Sequence, residues 1–290
     1  MRLPLWFSQH LAALRALLVF TVVVGLAYPL VMTAIAQVPG LHDKAQGSIV
    51  DGPNGQPVGS RIIGQLFTDA DGKPVPKYFQ SRPSAAGDGY DPTSTAASNL
   101  GPESVEDTLA TNPEDASQAL LTQVCARSKA IGELEGVDGS RPYCTPGGVG
   151  AVLRVFYSKG LTGTVTRAVS INEACPATPF IASYKGVSVS CAMPGEDYSG
   201  GLLTPIRGDA PAPPAVPADA VTASASGLDP NISVAYAHLQ APRIARERGV
   251  DLGVVRELIK DHTTGRALGF MGSPAVNVLQ LNLALDRELG

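Results

Sequence analysis

Basic residues are scarce in this sequence. Its 290 residues include 22 Lys and Arg against 26 Asp and Glu, a formal net charge of -4, and only 17% of the chain is charged. A nucleic-acid-binding surface needs clustered Lys and Arg, so the composition excludes that class of partner. The hydrophobic fraction of 44% is nevertheless sufficient to build a sizeable core in one or two domains.

The motifs of common enzyme classes are also missing. The chain has no G-x-x-x-x-G-K-[ST] phosphate loop, no H-E-x-x-H, no G-x-S-x-G and no C-x-x-C. His262 directly follows Asp261, but neighbours on a helix point about 100° apart and cannot serve as base and orienting acid. We interpret His262 as a wall or cap residue of its helix. We therefore predict no catalytic, cofactor-binding or metal-binding residue in this chain.

Long hydrophobic runs are absent except for one near the N-terminus. Residues 16–36 contain no charge, and as a helix rising about 1.5 Å per residue they would span a hydrocarbon core of roughly 30 Å. Arg2 and Arg15 precede this run, whereas Lys44 is the only Lys or Arg between the run and Arg61. The pattern predicts a single-pass protein of the plasma (inner) membrane, with a cytoplasmic N-terminus over residues 1–15 and an extracytoplasmic main domain.

A cleaved signal peptide is the competing interpretation of this run. Ala34-Ile35-Ala36 resembles an A-x-A cleavage site, but the uncharged stretch before it is longer than the apolar region of an ordinary signal peptide. Pro29 would remove a backbone hydrogen bond and kink the helix, and Gly25 would let another helix approach closely. A lone helix with incidental Gly and Pro and a helix with a partner-packing face both remain open.

Cysteine is limited to four residues, all beyond the membrane segment. Their spacing matches no common zinc signature, which favours two disulfides in an oxidising compartment over four unpaired thiols. Four cysteines allow three pairings, and the sequence leaves the choice open. Our hypothesis is local pairing, Cys125 with Cys144 and Cys175 with Cys191.

Composition divides the rest of the chain into three stretches. Residues 37–102 are rich in Gly, Pro and Ser, with apolar pulses at 49–50, 61–63 and 78–79 that predict short strands. Residues 103–219 predict a helix over 116–131, strands over 151–157, 164–171 and 180–191, and a Pro-rich extended linker over 209–217. We interpret 103–219 as an insertion into a core formed by 37–102 and 220–290.

The C-terminal stretch reads as three helices. The first is predicted to start at Asp229-Pro230 and to end at Gly249, with Pro242 splitting or kinking it. The second is predicted from Asp251 to Gly265.

The third helix follows Asn277, which has capping-box spacing to Gln280. The fold class is therefore membrane-anchored α+β, with one N-terminal transmembrane helix and an extracytoplasmic α/β domain carrying a β-rich insertion.

Several dense strings make the sequence recognisable. They are GSRIIGQLF (residues 59–67), YFQSRPSA (78–85), GYD (89–91), SNLGP (98–102), GLDPNIS (227–233), HTTGR (262–266) and NVLQLNLALD (277–286). Together they resemble the C subunit (KdpC) of the potassium-transporting P-type ATPase complex, over about residues 11–102 and 221–287. The Tyr-Pro-Leu at residues 28–30 resembles the membrane helix of that family.

The resemblance implies an accessory, non-catalytic subunit of an ATP-driven, high-affinity potassium import complex. Its partners would be the potassium-translocating subunit, the P-type ATPase subunit and membrane lipid, and ATP, Mg and K would be used by the complex through those other subunits. Gly25, Tyr28 and Pro29 are the candidates for helix docking. Candidates for partner contact, or equally for turns and caps, are Arg61, Gln65, Arg82, Asn99, Asp229 and Asn277.

Two other classes of function compete with the pump subunit. The alternative is a membrane-tethered extracytoplasmic binding module outside any pump. A membrane-anchored enzyme is the other, and it would need a nucleophile and base that the sequence does not show.

Overall fold

The computed structural model describes residues 4–94 and 103–289, which form two compact units. One unit is Met1–Ile62 and the other is Ile63–Gly290. The division into a core over 37–102 and 220–290 and an insertion over 103–219 is drawn differently and stays a prediction.

The first unit is dominated by one long helix. It comprises α1 (Leu5–Phe20), a π-helical stretch (Thr21–Ala27) and α2 (Tyr28–Ala36). Among the residues described, it is the one helix long and apolar enough to cross a membrane, and none of its candidate span is buried within the chain. The helix starts at Leu5, ahead of the predicted span 16–36, because the residues before Ala16 continue the same turns without a break.

A π-helical stretch precedes Pro29. Tyr28 N donates to Val23 O, one residue further back than the acceptor in an α-helix. This wider turn comes directly before Pro29, a residue that has no N–H to donate within the continuous helix. Beyond the helix, α3 (His42–Ala45) leads to β1 (Ile49–Asp51), which pairs with β2 (Pro57–Ser60). The strand predicted at 49–50 is confirmed, whereas residues 61–62 form a turn.

The second unit is a mixed α/β domain whose elements surround two cores. In chain order its elements are α4 (Leu120–Glu135), β3 (Val152–Lys159), β4 (Thr162–Ala174), β5 (Ser183–Tyr184), β6 (Val187–Ala192), β7 (Leu202–Pro205), α5 (Ala218–Val221), β8 (Asn231–Ser233), α6 (Val234–Arg248), α7 (Leu252–Asp261), β9 (Thr263–Thr264), β10 (Ala275–Asn277) and α8 (Val278–Glu288). The sheet orders are β5-β6-β4-β3-β7 and β8-β10-β9. The larger sheet is antiparallel except for the β4–β6 pair.

The strands predicted within 103–219 correspond to four of the five strands of the larger sheet; the edge strand β7 was not predicted. Those predicted at 151–157 and 164–171 are confirmed as parts of β3 and β4. The one predicted at 180–191 is two strands, β5 and β6, because a turn with Lys185 and Gly186 at positive φ reverses the chain between them.

Three C-terminal helices and the small sheet build the larger core. The stop predicted at Gly249, the start at Asp251 and the cap at Asn277 are confirmed. The predicted start of the first helix at Asp229 is wrong, because Asn231–Ser233 pairs with β10 and Ser233 caps α6 by accepting from Tyr236 N at 3.0 Å. Pro242 does not split this helix.

The second C-terminal helix is shorter than predicted. It ends at Asp261 instead of 265, because Thr263 and Thr264 pair with β10 as strand β9. His262 is a C-cap residue whose Nδ1 lies 2.9 Å from Leu258 O, in agreement with the capping role predicted for this histidine.

Residues 78–80 form no strand, yet their backbone is paired. Asn282 accepts from Phe79 N at 2.8 Å and donates to Phe79 O at 2.9 Å. Gln240 does the same for Gln80, at 2.6 and 3.1 Å. Two buried side-chain amides thus take the place of a neighbouring strand and satisfy backbone groups that would be costly to bury unpaired.

The segment predicted to be an insertion contributes to the larger core. The predicted helix at 116–131 is observed over Leu120–Glu135, and its Val124 and Ile131 pack against that core. The predicted Pro-rich linker over 209–217 is not wholly extended and solvated: Val216 is 1% exposed and packs with α5 in the same core. Burial removes the apolar Val216 side chain from water, which favours this packed arrangement.

Both locally paired disulfides are confirmed. Cys125 bonds Cys144, which ties α4 to the residues before β3, and Cys175 bonds Cys191 at the edge of the larger sheet. The described residues contain no free cysteine.

Arg243 and Glu135 form an ion pair inside the larger core. Their side chains are 1% and 0% exposed, and Arg243 Nε lies 3.1 Å from Glu135 Oε1. The guanidinium also donates to Pro76 O, to Tyr78 O at 3.1 Å and to Gln240 Oε1 at 3.0 Å. Burial raises the pKa of the Glu135 carboxyl, and Arg243 opposes that rise.

We expect Arg243→Met to lower the free energy of unfolding by about 3–5 kcal/mol, because it leaves the Glu135 carboxylate buried and unpaired. Thermal or urea unfolding of the detergent-solubilised full chain measures the loss. Arg246→Met is the matched control, since that arginine is 66% exposed and forms its ion pair with the neighbouring Glu247. Adding Glu135→Leu to Arg243→Met should recover part of the stability; an equal loss in Arg243→Met and Arg246→Met would contradict the assignment.

Candidate functional site

Four of the sequence strings meet in space within the second unit. We call Gly64, Arg82, Ser84, Tyr90 and Asp229 the motif cluster. Ser84 Oγ donates to Gly227 O at 2.7 Å, and Gly64 N donates to Leu228 O at 2.9 Å. Segments far apart in sequence are therefore joined through their backbone carbonyls.

Arg82 makes four hydrogen bonds within the protein through its three guanidinium nitrogens. Its Nη1 lies 3.2 Å from Asp229 Oδ2, and its Nε and Nη2 donate to Thr222 O at 3.3 and 3.2 Å. Nη2 also donates to Ala223 O at 3.2 Å. Asp229 Oδ1 in turn accepts from Asn231 N at 2.9 Å. This guanidinium holds the chain before β8 in place and would have to abandon these partners to bind an anionic ligand.

Tyr90 closes the motif cluster from the other side. Its hydroxyl donates to Arg82 O at 2.8 Å, and its backbone N donates to Ser84 Oγ at 2.8 Å. The residue is 6% exposed, and burial raises the pKa of its hydroxyl to about 12. Its ring lies so close to Gly64 that a Cβ at that position would come within 2.2 Å of Tyr90 Cε1. The tyrosine is thus a neutral, buried structural group at any physiological pH.

The other predicted outer-domain residues are dispersed. Gln65 O accepts from Ser81 Oγ at 2.8 Å, and Asn277 Oδ1 accepts from Gln280 N at 3.1 Å as the cap of α8. Arg61 is exposed and belongs to the first unit, and Asn99 lies outside the described residues. Arg82 and Asp229, two of the predicted residues, are in direct contact through an ion pair.

The three predicted docking residues lie close together along the N-terminal apolar helix. Gly25 belongs to the π-helical stretch, and Tyr28 and Pro29 begin α2 within the next turn. Tyr28 is 61% exposed, and a Cβ at Gly25 would meet only Thr21 Cγ2, at 3.8 Å. Nothing in the described part of the first unit covers this stretch of the helix.

Sequence reasoning missed the buried polar groups of the larger core. Arg243, Gln240 and Asn282 carry the contacts that hold residues 76–80, yet the local pattern around each of them predicts no such role. Asn282 lies one residue after the buried Leu281, on the core-facing side of α8, and a polar residue at such a position is the signal that could have found it.

No cluster of candidate metal ligands occurs in the described parts of the chain. No three His, Cys, Asp or Glu residues among them lie close enough together to bind a metal. A cavity of about 820 Å³ lies beside α4, and its lining is mixed: apolar side chains such as Val137 and Phe180 alternate with charged ones, Lys129, Glu133, Asp138 and Asp209. None of its lining residues belongs to the motif cluster.

We expect Gly64→Ala to destabilise the second unit by about 1–3 kcal/mol, because the added methyl would overlap the Tyr90 ring and approach Asp229 O at 2.9 Å. The midpoint of thermal unfolding of the full chain is the measurement. Gly265→Ala is the control, since a Cβ there meets no atom within 4 Å. Equal midpoints for the two variants would show that the packing of Tyr90 on Gly64 does not hold the cluster together.

Comparison with known proteins identifies the family. The model of the family described as "KdpC: K+-transporting ATPase, c chain" matches residues 10–133 and 204–287, which leaves 134–203 unmatched. A protein of Mycobacterium tuberculosis named potassium-transporting ATPase KdpC subunit is 36% identical over 279 residues, covering 96% of this chain and 98% of the relative. Its namesake from Kineococcus radiotolerans is 35% identical over 96% of this chain and 92% of the relative. The protein of the same name from Koribacter versatilis is 33% identical over 92% of this chain and 89% of the relative.

The family model and the mycobacterial relative match different shares of the chain. The mycobacterial match spans 96% of this chain, whereas the family model leaves residues 134–203 unmatched. The residues matched by the family model include most of the membrane helix and the whole motif cluster. The chain belongs to the KdpC family, the c chain of K+-transporting ATPase.

Proposed function

We propose that this chain is the accessory, non-catalytic subunit of an ATP-driven potassium import pump. It stabilises the assembly of the ion-translocating and ATP-hydrolysing subunits and shapes the outer entrance of the potassium pathway. The observation that carries the proposal is the family match over both the apolar helix and the motif cluster. The engagement of Arg82 and Tyr90 in internal contacts supports a structural role for this cluster rather than a chemical one.

The membrane topology follows from the N-terminal helix. We place the helix in the plasma (inner) membrane, with the N-terminus in the cytoplasm and the second unit outside. Arg2 and Arg15 support this orientation through the excess of positive charge before the apolar span. Both disulfides support an oxidising location for the second unit.

The helix is proposed to dock on the potassium-translocating subunit through Gly25, Tyr28 and Pro29. The open face at Gly25 lets a partner helix approach its backbone closely, and the exposed Tyr28 supplies contact area beside it. The rest of the helix surface would face lipid. Close helix contact of this kind would join the chain to a polytopic partner without any catalytic group.

ATP, Mg and K are proposed to act through the other subunits, with none bound directly by this chain. A domain outside the membrane cannot reach cytoplasmic ATP, and the sequence has no phosphate loop. The hydrogen bonds that Arg82 makes to Thr222, Ala223 and Asp229 leave that arginine unsuited to phosphate.

We expect Gly25→Leu to lower co-purification of the other pump subunits by about tenfold, because the larger side chain fits this helix but blocks a partner helix. The measurement is quantitative pull-down from detergent-solubilised membranes of cells starved of potassium. Val24→Leu, a change at the adjacent 60% exposed position, is the control and should leave recovery unchanged. Recovery of the wild-type chain without any partner would sink the proposal that it is a pump subunit.

We expect the purified full chain to show no binding of Mg-ATP at micromolar concentration in calorimetric titration. The reason is that the arginine of the motif cluster already has carbonyl and carboxylate partners. Arg82→Met and Gln65→Ala should leave the titration unchanged. Micromolar binding that either substitution abolishes, with unfolding midpoints unaltered, would refute this part of the proposal.

A further inference from the structure

An apolar loop projects from the second unit between β9 and β10. We call residues 267–271 the apolar tip. Leu268, Phe270 and Met271 are 82%, 73% and 54% exposed, and the first two are the most exposed large hydrophobic side chains of this unit among the residues described. Neither the assignment to the family nor the motif cluster accounts for them.

The apolar tip is held in one conformation. Ala267 N and Met271 O are 2.9 Å apart, as are Met271 N and Ala267 O, and Gly269 N donates to Arg266 O at 3.2 Å. Leu268 has φ +52°, a left-handed conformation that costs a residue with a side chain about 1–2 kcal/mol. The fold thus accepts backbone strain and displays an apolar side chain to solvent. A prearranged apolar anchor loses little entropy on binding, which suits recognition of a shaped protein pocket.

The charge around the apolar tip does not suit a lipid surface. Loops that bind membrane surfaces combine apolar residues with clusters of Lys and Arg that attract anionic headgroups. Arg266 is the only Lys or Arg from 261 to 286, and the chain carries a net charge of -4. The occupant is therefore better matched by protein than by bilayer.

The size of the apolar tip argues against a second copy of this chain. Three side chains cover on the order of 500 Å² or less, below the roughly 800 Å² per partner of a typical stable interface. Such a tip cannot hold a dimer by itself. It can act as an anchor within a complex whose remaining contacts lie elsewhere.

Another exposed apolar residue of the same unit, Leu161, provides a comparison for the apolar tip. Leu161, in the turn between β3 and β4, is 62% exposed, but it lies in residues 134–203, which the family model does not match. The apolar tip lies within the matched residues 204–287. A partner common to the family would contact the apolar tip and not Leu161.

We propose that the apolar tip inserts into an apolar pocket on the outer face of the potassium-translocating subunit, with Phe270 as its central anchor. This inference rests on the proposed function and adds the contacting surface to it. The membrane helix and the tip would then form two separate attachments to the same partner, and the second attachment would gain from the effective concentration that the first provides.

Site-specific photocrosslinking in the assembled pump tests the contact. The photoreactive amino acid p-benzoylphenylalanine is placed at position 270 and, as the matched control, at position 161. We expect an adduct with the potassium-translocating subunit from position 270 and none from 161. Adducts only with lipid, adducts with a second copy, or equal protein adducts from both positions would overturn the inference.

Exposed-residue substitutions supply an independent measurement. In a Gly25→Leu background, where the tip should carry more of the attachment, Phe270→Ser should lower co-purification by a further fivefold to tenfold, on the order of a typical interface anchor. Leu161→Ser should change it by less than about twofold, as expected for a residue outside an interface.

Two further measurements distinguish a variant that does not fold from a failure of the inference or of the proposed function. Unfolding midpoints that match the parent chain show that both variants fold. If Phe270→Ser behaves like Leu161→Ser while the wild-type pump still co-purifies, the inference fails and the subunit role stands. If the wild-type chain is recovered alone, the proposed function itself fails.

Discussion

The buried guanidinium of Arg243 is the interaction on which the second unit depends. It joins α6 to Glu135 at the end of α4 and to the carbonyls of Pro76 and Tyr78. A buried charge is tolerable only when such partners surround it. Arg243 and its partners lie on three distant stretches of the chain. The ion pair and its hydrogen bonds form only when all three stretches are in place. Residues 76–80, the helix at Leu120–Glu135 and the C-terminal helices therefore fold as one body.

Buried or half-buried polar side chains also satisfy backbone groups where the chain forms neither helix nor strand. Asn282 and Gln240 stand in for a neighbouring strand beside Phe79 and Gln80, and Arg82 supports the residues before β8 through their carbonyls. Polar side chains of the sequence strings, such as Arg82 and Asn282, thus form hydrogen bonds with the backbone of loops. Dense polar motifs can therefore serve the fold itself, which is appropriate for a subunit whose proposed role is attachment.

Two of the apolar surfaces left uncovered in the described parts of the chain bear on attachment. One is the helix face at Gly25 and Tyr28, and the other is the tip at Leu268 and Phe270. Exposed apolar surface of this kind has a cost in water that burial against a partner removes. Under the proposed function, both are sites of attachment, one in the lipid phase and one outside it.

Local rules in the sequence determined the apolar span, the helix start at Asp251, the cap at Asn277 and the stop at Gly249, because each depends on near neighbours along the chain. The local disulfide pairing was one of three possibilities until the fold brought Cys125 beside Cys144. Tertiary structure alone decided that Asn231–Ser233 is a strand, since its partner, β10, is separated from it by two helices and another strand. It also decided that α4 buries Thr122, Ser128 and Glu135, a polar face that no hydrophobic periodicity reveals. Those side chains are stable inside only because distant residues satisfy their hydrogen bonds and charge, and that information is not contained in any local stretch of sequence.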